Sequence, residues 1–472
     1  MSPLPSTPAM LSRRKLLKLS AAGALGWSLP QWLVIESLAA ATRRAPAKNV
    51  LVLLEQGGLS HIDTWDPKPE VPAEHRSPFK PISSTVPGMQ FTELLPHTSR
   101  IAHKLAVVRS MHHTLGGADG HPKGTKYVLS GAHPSSPTEM PDIGSVVTHL
   151  RGSRCRYLPP SIMVPGNDEQ AAETRTGFLP AADKVFKTGG KDLSDPAWRV
   201  ADLVPSGDNG GDRLAARRGL LRSVDASFAL RDQPARDLDG MDRFYEQAFD
   251  VLTSPQVSAA FDLRSESSAT REQYGPGHRG ACYLLGRKLI EAGVRFVTVD
   301  VRWPFTKDLP GGTNLNWDHH DYIYAKDTCN LPGAGGGGAG RRGIGTWQMM
   351  GSTDQAFAAL IEDLDQRGML DETLVCFVTE FGRTPRINKF QGRDHWTRGY
   401  SIALAGAGVP GGQVIGSTDK DGGDVASLAY TPEDYAATIY EKLGIDRAKP
   451  LYTPTNRPIF FGNLGEPIAQ LL

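Results

Sequence analysis

Acids and imidazoles recur along this chain in short pairs. Asp318 and His320 lie in W-D-H-H-D (Trp317 to Asp321), and Asp394 and His395 in G-R-D-H-W (Gly392 to Trp396). Such pairs on loops suit a divalent metal, because carboxylate oxygen and neutral imidazole nitrogen are ordinary ligands for zinc, manganese or iron. A lone D-x-H more often makes loop hydrogen bonds. Two pairs and a further acid, Glu380, all following predicted strands, strengthen the metal reading. Arg383 follows Phe381-Gly382, where the chain can turn sharply. Its two-pronged guanidinium is suited to a phosphate, sulfate or carboxylate; a salt bridge to a neighbouring acid is the plainer alternative. His61, His112 and His113 read as loop hydrogen-bonders. Trp65, Trp317 and Trp396 stand beside the polar clusters, as frames for a sugar or aromatic ligand or as wall packing.

These residues need elements to hold them. Asn49 to Leu54 (N-V-L-V-L-L) reads as a strand apolar on both faces, as in the centre of a parallel sheet. It ends in Glu55-Gln56-Gly57-Gly58, a turn where backbone can approach a ligand closely. Leu105 to Val108 is a second strand, leading to His112 and His113. Ala281 to Ala292 has helical spacing, stops at Gly293 and feeds the strand Val294 to Val299. The pattern repeats with a helix from Ser352 to Arg367, Gly368, and the strand Leu374 to Thr379. Thr431-Pro432-Glu433-Asp434 is a helix start, with a hydroxyl cap, an early proline and acids at the positive end. This alternation predicts an α/β three-layer sandwich, a mostly parallel central sheet with helices on both faces. Ligands of such sheets bind at the carboxyl ends of the strands, which is where the acids and imidazoles fall.

The start of the chain carries an address. Ser12 to Lys18 reads S-R-R-x-L-L-K, the twin-arginine pattern, followed by a weakly apolar stretch and the small residues Ala39-Ala40-Ala41. Residues 1–41 are therefore expected to be a signal peptide handled by the twin-arginine translocation machinery, which delivers a folded protein to the periplasm or outside the cell. Pro30 and Glu36 make the stretch a poor permanent span, and no later segment has the apolar run of a membrane helix. Of the 472 residues, about 431 remain after cleavage, enough for one large domain or two modest ones. Arg13, Arg14, Lys15 and Lys18 against Glu36 give the leader +3 of the chain's net +1, so the remainder carries −2. That balance offers no electrostatic case for nucleic acid. Cys155, Cys282, Cys329 and Cys376 form no C-x-x-C pair, against zinc-ribbon and thioredoxin-like readings. Cys282 and Cys376 read as buried thiols; a bridge between Cys155 and Cys329 is open after export, but folding in a reducing cytoplasm argues against dependence on it. A surface insertion near 187–222 and a Gly-rich loop near 333–345 interrupt the rhythm of a single domain spanning 42–472.

The motifs resemble those of one family. G-G-L-S-H-I-D-T-W-D-P-K-P (Gly57 to Pro69), E-A-G-V-R-F-V-T-V (Glu291 to Val299), W-D-H-H (Trp317 to His320), T-E-F-G-R-T-P (Thr379 to Pro385) and G-R-D-H-W (Gly392 to Trp396) resemble, in order, the exported DUF1501 family. That family is similar in fold to the alkaline phosphatase and sulfatase superfamily, whose members hydrolyse phosphate or sulfate esters with one or two divalent metals. The resemblance implies a divalent metal (zinc, manganese or calcium) and an anionic small-molecule or polysaccharide ester as substrate. Asp318 and His320 resemble the superfamily's Asp/His ligand pair and His395 its final histidine. Asp434 to Ile445 echoes its terminal D-I-x-x-T-I-x-x-x-L-G-I. The superfamily's S-D-H-G falls on Thr379-Glu380-Phe381-Gly382, so a longer acid replaces the aspartate and Phe381 the histidine. The aspartate ending the first strand aligns near Gln56, with Glu55 or Asp63 as substitutes. The sulfatase nucleophile motif C-x-P-S-R-x-x-L-L-T-G corresponds to His121 through Gly131, which puts His121 where a Cys or Ser would sit. No formylglycine can form there. His121 is left as nucleophile, as metal ligand, or as the mark of a site that has lost its reaction; Thr114 and Thr125 are further hydroxyls nearby.

Two readings follow. One is an exported, metal-dependent ester hydrolase of the cell envelope, acting on phosphate or sulfate esters, with Asp318, His320, Glu380 and His395 as the metal ligands that the resemblance implies and His121 and Arg383 as catalytic residues. The other is a non-catalytic binding protein on the same scaffold with a degenerate active site.

Overall fold

Asn49–Leu54 (β1) is buried at all six positions, and its alternate side chains feed two different cores. Leu51 and Leu53 pack into one apolar cluster, Val50, Val52 and Leu54 into another. A strand whose two faces are both dry must lie between two layers of cover. In the computed structural model that cover is helical on either side. The structure describes residues 47–114, 120–166, 174–189, 192–200, 254–301, 315–326, 342–461 and 465–472, with Ala216, Gly219 and Leu220. The expected leader, 1–41, lies outside them.

The sheet has eight strands. With β1 they are Leu105–Met111 (β2), Ser161–Pro165 (β3), Phe186–Lys187 (β4), Phe296–Asp300 (β5), Thr373–Val378 (β6), Tyr400–Ala405 (β9) and Gln413–Ile415 (β10). Gly382–Arg383 (β7) and His395–Trp396 (β8) form a separate antiparallel hairpin. The spatial order is β10-β2-β9-β6-β1-β5-β3-β4. β1 pairs in parallel with β5 and β6, β3 with β5 and β4, and β10 with β2. Only β9 runs against its neighbours β2 and β6 among these strands. The expected three-layer, mostly parallel sandwich is thus present.

The helices Gly120–Ser130 (α1), Ile143–Arg151 (α2) and Pro432–Lys442 (α5) supply one layer, through residues such as Val128, Val146 and Ile439. His278–Glu291 (α3) and Ser352–Gln366 (α4) supply the other, through Leu285, Leu289, Phe357 and Leu360. Trp65 belongs to that second core: Phe91 and Phe377 meet its ring edge-on at 5.3 and 5.4 Å, so here wall packing accounts for it. Thr431 and Asp434 form a reciprocal capping box at the start of α5. Ala47–Leu472 clusters as one compact unit. Among the described residues, no helix is long and apolar enough to cross a membrane.

Two expected loops fall largely outside the described residues. Of 333–345 only 342–345 are described, and of 187–222 the described parts include Leu193 and Val200, both buried in the core. Cys155, Cys282 and Cys376 are free thiols, and Cys329 lies outside the described residues.

Asp142, just ahead of α2, shows what burial does to an acid in this fold. Its backbone N–H donates to Arg175 O (3.0 Å) and its Oδ2 accepts from Arg175 N (2.7 Å), while buried Oδ1 has no hydrogen bond. Burial pushes its carboxyl up to about 7, against the pull of the Arg175 N–H and charge. The folded chain therefore keeps a proton that the unfolded chain loses near pH 4, and stability falls as pH rises from about 4 to about 7. Asp142→Asn is expected to flatten that part of the melting-temperature profile; an unchanged slope in thermal melts between pH 4 and 8 would refute the assignment.

Candidate metal centre

The carboxyl ends of β1, β5 and β6 lie level, since Leu54 is paired with both Asp300 and Val378. Everything that leaves those ends meets in one place. Trp317 N–H donates to Gln56 O (3.0 Å), and its indole Nε1 to Glu55 Oε2 (2.7 Å). These bonds pin the following residue, Asp318, above the sheet edge. The β7–β8 hairpin closes from the other side, with Arg393 N–H donating to His319 O and Asn388 Nδ2 to His320 O. α1 brings His121 in its first turn.

Four side chains converge. Asp318 Oδ1 lies 3.1 Å from His121 Nε2, 2.9 Å from His320 Nε2 and 3.2 Å from His395 Nε2. His320 and His395 Nε2 are 3.0 Å apart, and donor atoms of His121, Asp318 and His395 all fall within 4.8 Å of one another. Two of the rings are held from behind by a carboxylate: His121 Nδ1 sits 2.6 Å from Glu380 Oε1, and His320 Nδ1 3.0 Å from Asp394 Oδ1. Glu380 is itself fixed by Gly57 N–H (2.7 Å) and the Thr379 hydroxyl (3.2 Å), and Asp394 by Asn388 Nδ2 (3.0 Å). A carboxylate behind each ring orients it and favours Nδ1–H, leaving the Nε2 lone pair facing inward.

The electrostatics follow from that packing. Burial opposes a charge on His121, but Asp318 and Glu380 outweigh it and push the ring up to about 9. Burial likewise opposes ionisation of Asp318, yet three imidazoles and Arg383 hold it far below the usual carboxylate range. Glu380 is also held low, by His121 and the Gly57 N–H against burial. His395 moves the other way: burial, then the charge of Arg383 and the nearby His121, lower it despite Asp318.

Of the residues singled out from sequence, Asp318, His320 and His395 meet in the cluster together with His121. Glu380 stands behind His121 rather than against Asp318. Arg383 is fully buried, and each of its nitrogens donates to protein: Nε to Gly58 O (2.9 Å), one terminal nitrogen to Arg393 O (2.9 Å), the other to Gly57 O and to Asp318 Oδ1 (2.6 Å for the latter). The salt-bridge alternative is the one this geometry displays. Neither substitute for the missing strand-end aspartate is in the cluster. Glu55 is bound by Arg279, the Tyr283 hydroxyl and Trp317. Asp63 accepts from Ser60, Tyr324 and Arg393. Gln56 donates to Asp300 (3.0 Å) and accepts from buried Thr125 (3.3 Å), and exposed Thr114 faces His133. His61 and His113 bond backbone carbonyls, Gly422 O and Glu380 O. Phe381 covers one side, its ring 5.1 Å from that of His121 and 4.6 Å from that of His395. Asn388, which ties Asp394 to the His320 backbone, has no signal in sequence. Gly57 has one, the Gly-Gly turn after β1.

Residues 47–472 match the family model described as "Protein of unknown function (DUF1501)". The chain belongs to the DUF1501 family. No curated protein matches this DUF1501 chain. Several solved structures are loosely similar. A phosphonate monoester hydrolase from Silicibacter pomeroyi is 12% identical over 84% of this chain and 73% of its own, with a TM-score of 0.34. A protein in the alkaline phosphatase superfamily from Vibrio parahaemolyticus is 9% identical over 90% and 70%, with a TM-score of 0.32. A sulfatase from Pseudoalteromonas sp. is 11% identical over 88% and 71%, also with a TM-score of 0.32. At such scores nothing about the activity of this DUF1501 member rests on them.

A ligand set must also fit its ion. The inward-facing Nε2 atoms crowd one carboxylate oxygen, and buried His121 Nε2 has no hydrogen bond. Lone pairs packed against a carboxylate repel, so a positive charge belongs among them, either shared protons or a metal. Two imidazoles braced by carboxylates, a third imidazole and an acid are donors suited to a divalent metal.

Removing the clamp behind this cluster should be costly. Arg383→Ala would leave Asp318 and the carbonyls of Gly57 and Gly58 without their partner, and about 3–5 kcal/mol of unfolding free energy is expected to go with it. Arg383→Lys should restore only part, because an ammonium cannot span the same fork. Gly57→Ala should be nearly as damaging, since φ is +107° and a Cβ would lie 1.8 Å from Asn316 Oδ1. Urea denaturation checks all three, and wild-type midpoints would refute the clamp.

Proposed function

We propose that this chain is an exported, metal-dependent hydrolase acting on phosphate or sulfate esters, those of polysaccharides included, in the cell envelope. The observation that carries the reading is the convergence of His121, His320 and His395 Nε2 on Asp318 Oδ1, two of them braced by carboxylates. His121, Asp318, His320 and His395 would hold the ion. A divalent metal there supplies Lewis-acid polarisation of an ester oxygen and neutralises charge on the transferring group. The resemblance of the sequence motifs to the alkaline phosphatase and sulfatase superfamily supports the same reaction class.

The chain's own residues then have distinct parts. Glu380 and Asp394 hold protons at His121 Nδ1 and His320 Nδ1, which keeps both rings in one orientation. Glu380 takes His121 Nδ1, and His121 Nε2 faces Asp318 Oδ1 at 3.1 Å, an orientation that suits a ligand better than a nucleophile. Arg383 acts by fixing Asp318 and the Gly57-Gly58 turn. Phe381 keeps water from one side of the imidazoles. The leader, S-R-R-x-L-L-K, supports export by the twin-arginine machinery to the periplasm or beyond, and the charge balance gives nucleic acid no role.

A specific observation keeps the binding-protein reading alive. Every nitrogen of Arg383 is engaged within the protein, so an incoming anion would not find this cation. The two separate by experiment. Protein purified without chelator is expected to carry metal by elemental analysis and to hydrolyse part of a panel of aryl phosphate and sulfate esters. His395→Ala should remove both, and Glu380→Gln should lower turnover roughly 10- to 100-fold, as loss of a ligand's partner does. Metal without turnover on any ester would leave the binding protein. Turnover untouched by chelation would sink the metal-dependent reading.

A further inference from the structure

Given the reading above, on which this step rests, we infer that the centre takes one divalent ion of the imidazole-preferring class, such as zinc or cobalt, and takes neither calcium nor a second ion. The donor set is the first reason. Asp318 Oδ1 stands 2.9, 3.1 and 3.2 Å from Nε2 of His320, His121 and His395, and the His320 and His395 nitrogens are 3.0 Å apart. Donors about 2.0–2.1 Å from a tetrahedral ion stand roughly 3.3 Å apart, close to that spacing. Calcium collects about six to eight oxygens at about 2.3–2.6 Å, whereas the oxygen that meets the three Nε2 atoms among the described residues is Asp318 Oδ1. Imidazole suits zinc and its transition-metal neighbours.

The second reason lies in Glu380, Glu55, Asp63 and Gln56, whose oxygens already serve other groups. Glu380 Oε1 takes Gly57 N–H and His121, and its Oε2 the Thr379 hydroxyl. Glu55 and Asp63 are each held by a buried arginine and hydroxyl or indole donors. Gln56, at the end of β1, is an uncharged amide whose oxygen and nitrogen already serve Thr125 and Asp300. Charge gives the third reason. Asp318, Glu380 and Asp394 are three negative groups around the imidazoles, and Arg383 is the positive group on Asp318. A single divalent ion balances that set when the imidazoles are neutral; a second would leave an uncompensated double positive charge in a largely buried place, which is costly.

The test is a titration of the full chain after removal of metal by chelator. Cobalt is expected to bind at one ion per chain with the strong visible bands of four- or five-coordinate Co²⁺. One equivalent of zinc should abolish those bands, and a large excess of calcium should leave them. Asp394→Asn should weaken cobalt binding roughly 10- to 100-fold with circular dichroism unchanged; His121→Ala should alter the bands by removing a nitrogen donor. Two cobalt ions per chain, displacement by calcium, a weak six-coordinate spectrum, no binding, or an Asp394→Asn affinity equal to wild type would each overturn the inference. Failures remain separable. One tightly held cobalt without ester turnover defeats the hydrolase reading and leaves this one, whereas turnover supported by calcium or by two ions does the reverse.

Discussion

The buried contact between Arg383 and Asp318 holds the site together. One guanidinium reaches the turn after β1, the residues just ahead of β8 in its own hairpin and the loop that carries Asp318. These three segments have no regular secondary structure in common, and each would otherwise leave carbonyls or a carboxylate unsatisfied in a dry place. The forked geometry of arginine satisfies them together, with the charge of the acid offsetting its own. Buried ion pairs do not guarantee stability, since dehydrating both partners is expensive. What this one does is fix where Asp318 points. A second buried pair, Arg393 with Asp63, repeats the device one layer farther out and ties the hairpin to the segment after β1.

Around that anchor the polar groups form shells. Asp318 is surrounded by three imidazoles, two imidazoles are backed by Glu380 and Asp394, and those acids are backed by Gly57, Thr379 and Asn388. Each layer restricts the rotation of the one inside it, so ring orientations are decided before any ligand arrives. The glycine at 57 is part of the same logic: only a residue without a Cβ lets the backbone N–H come this close to Glu380 while the Asp318 loop passes beside it.

Much of this was legible in the chain itself. The alternation of glycine-stopped helices with runs such as Asn49–Leu54 and Thr373–Val378 announces a doubly covered sheet, because only a central strand tolerates apolar residues on both faces. The D-x-H and D-H pairs mark loops that end up at the sheet edge. What periodicity does not encode is direction and pairing across long separations. Glu380 lies in the right motif, but its position behind His121 depends on how α1 docks over β6. Arg383 looks like an anion clamp until the Gly57-Gly58 carbonyls are seen to fill its fork. Asn388 carries no pattern at all, since its bond to His320 O exists only once the hairpin has folded over that residue.

The ligands of the cluster also impose an order of events. His121 and Glu380 are 259 positions apart, and Asp318 and His395 are 77. No short peptide from this chain contains the set, so an extended or half-made molecule has nothing with which to seize an ion firmly. The sheet must close first, so these side chains come together only in a molecule that has already folded.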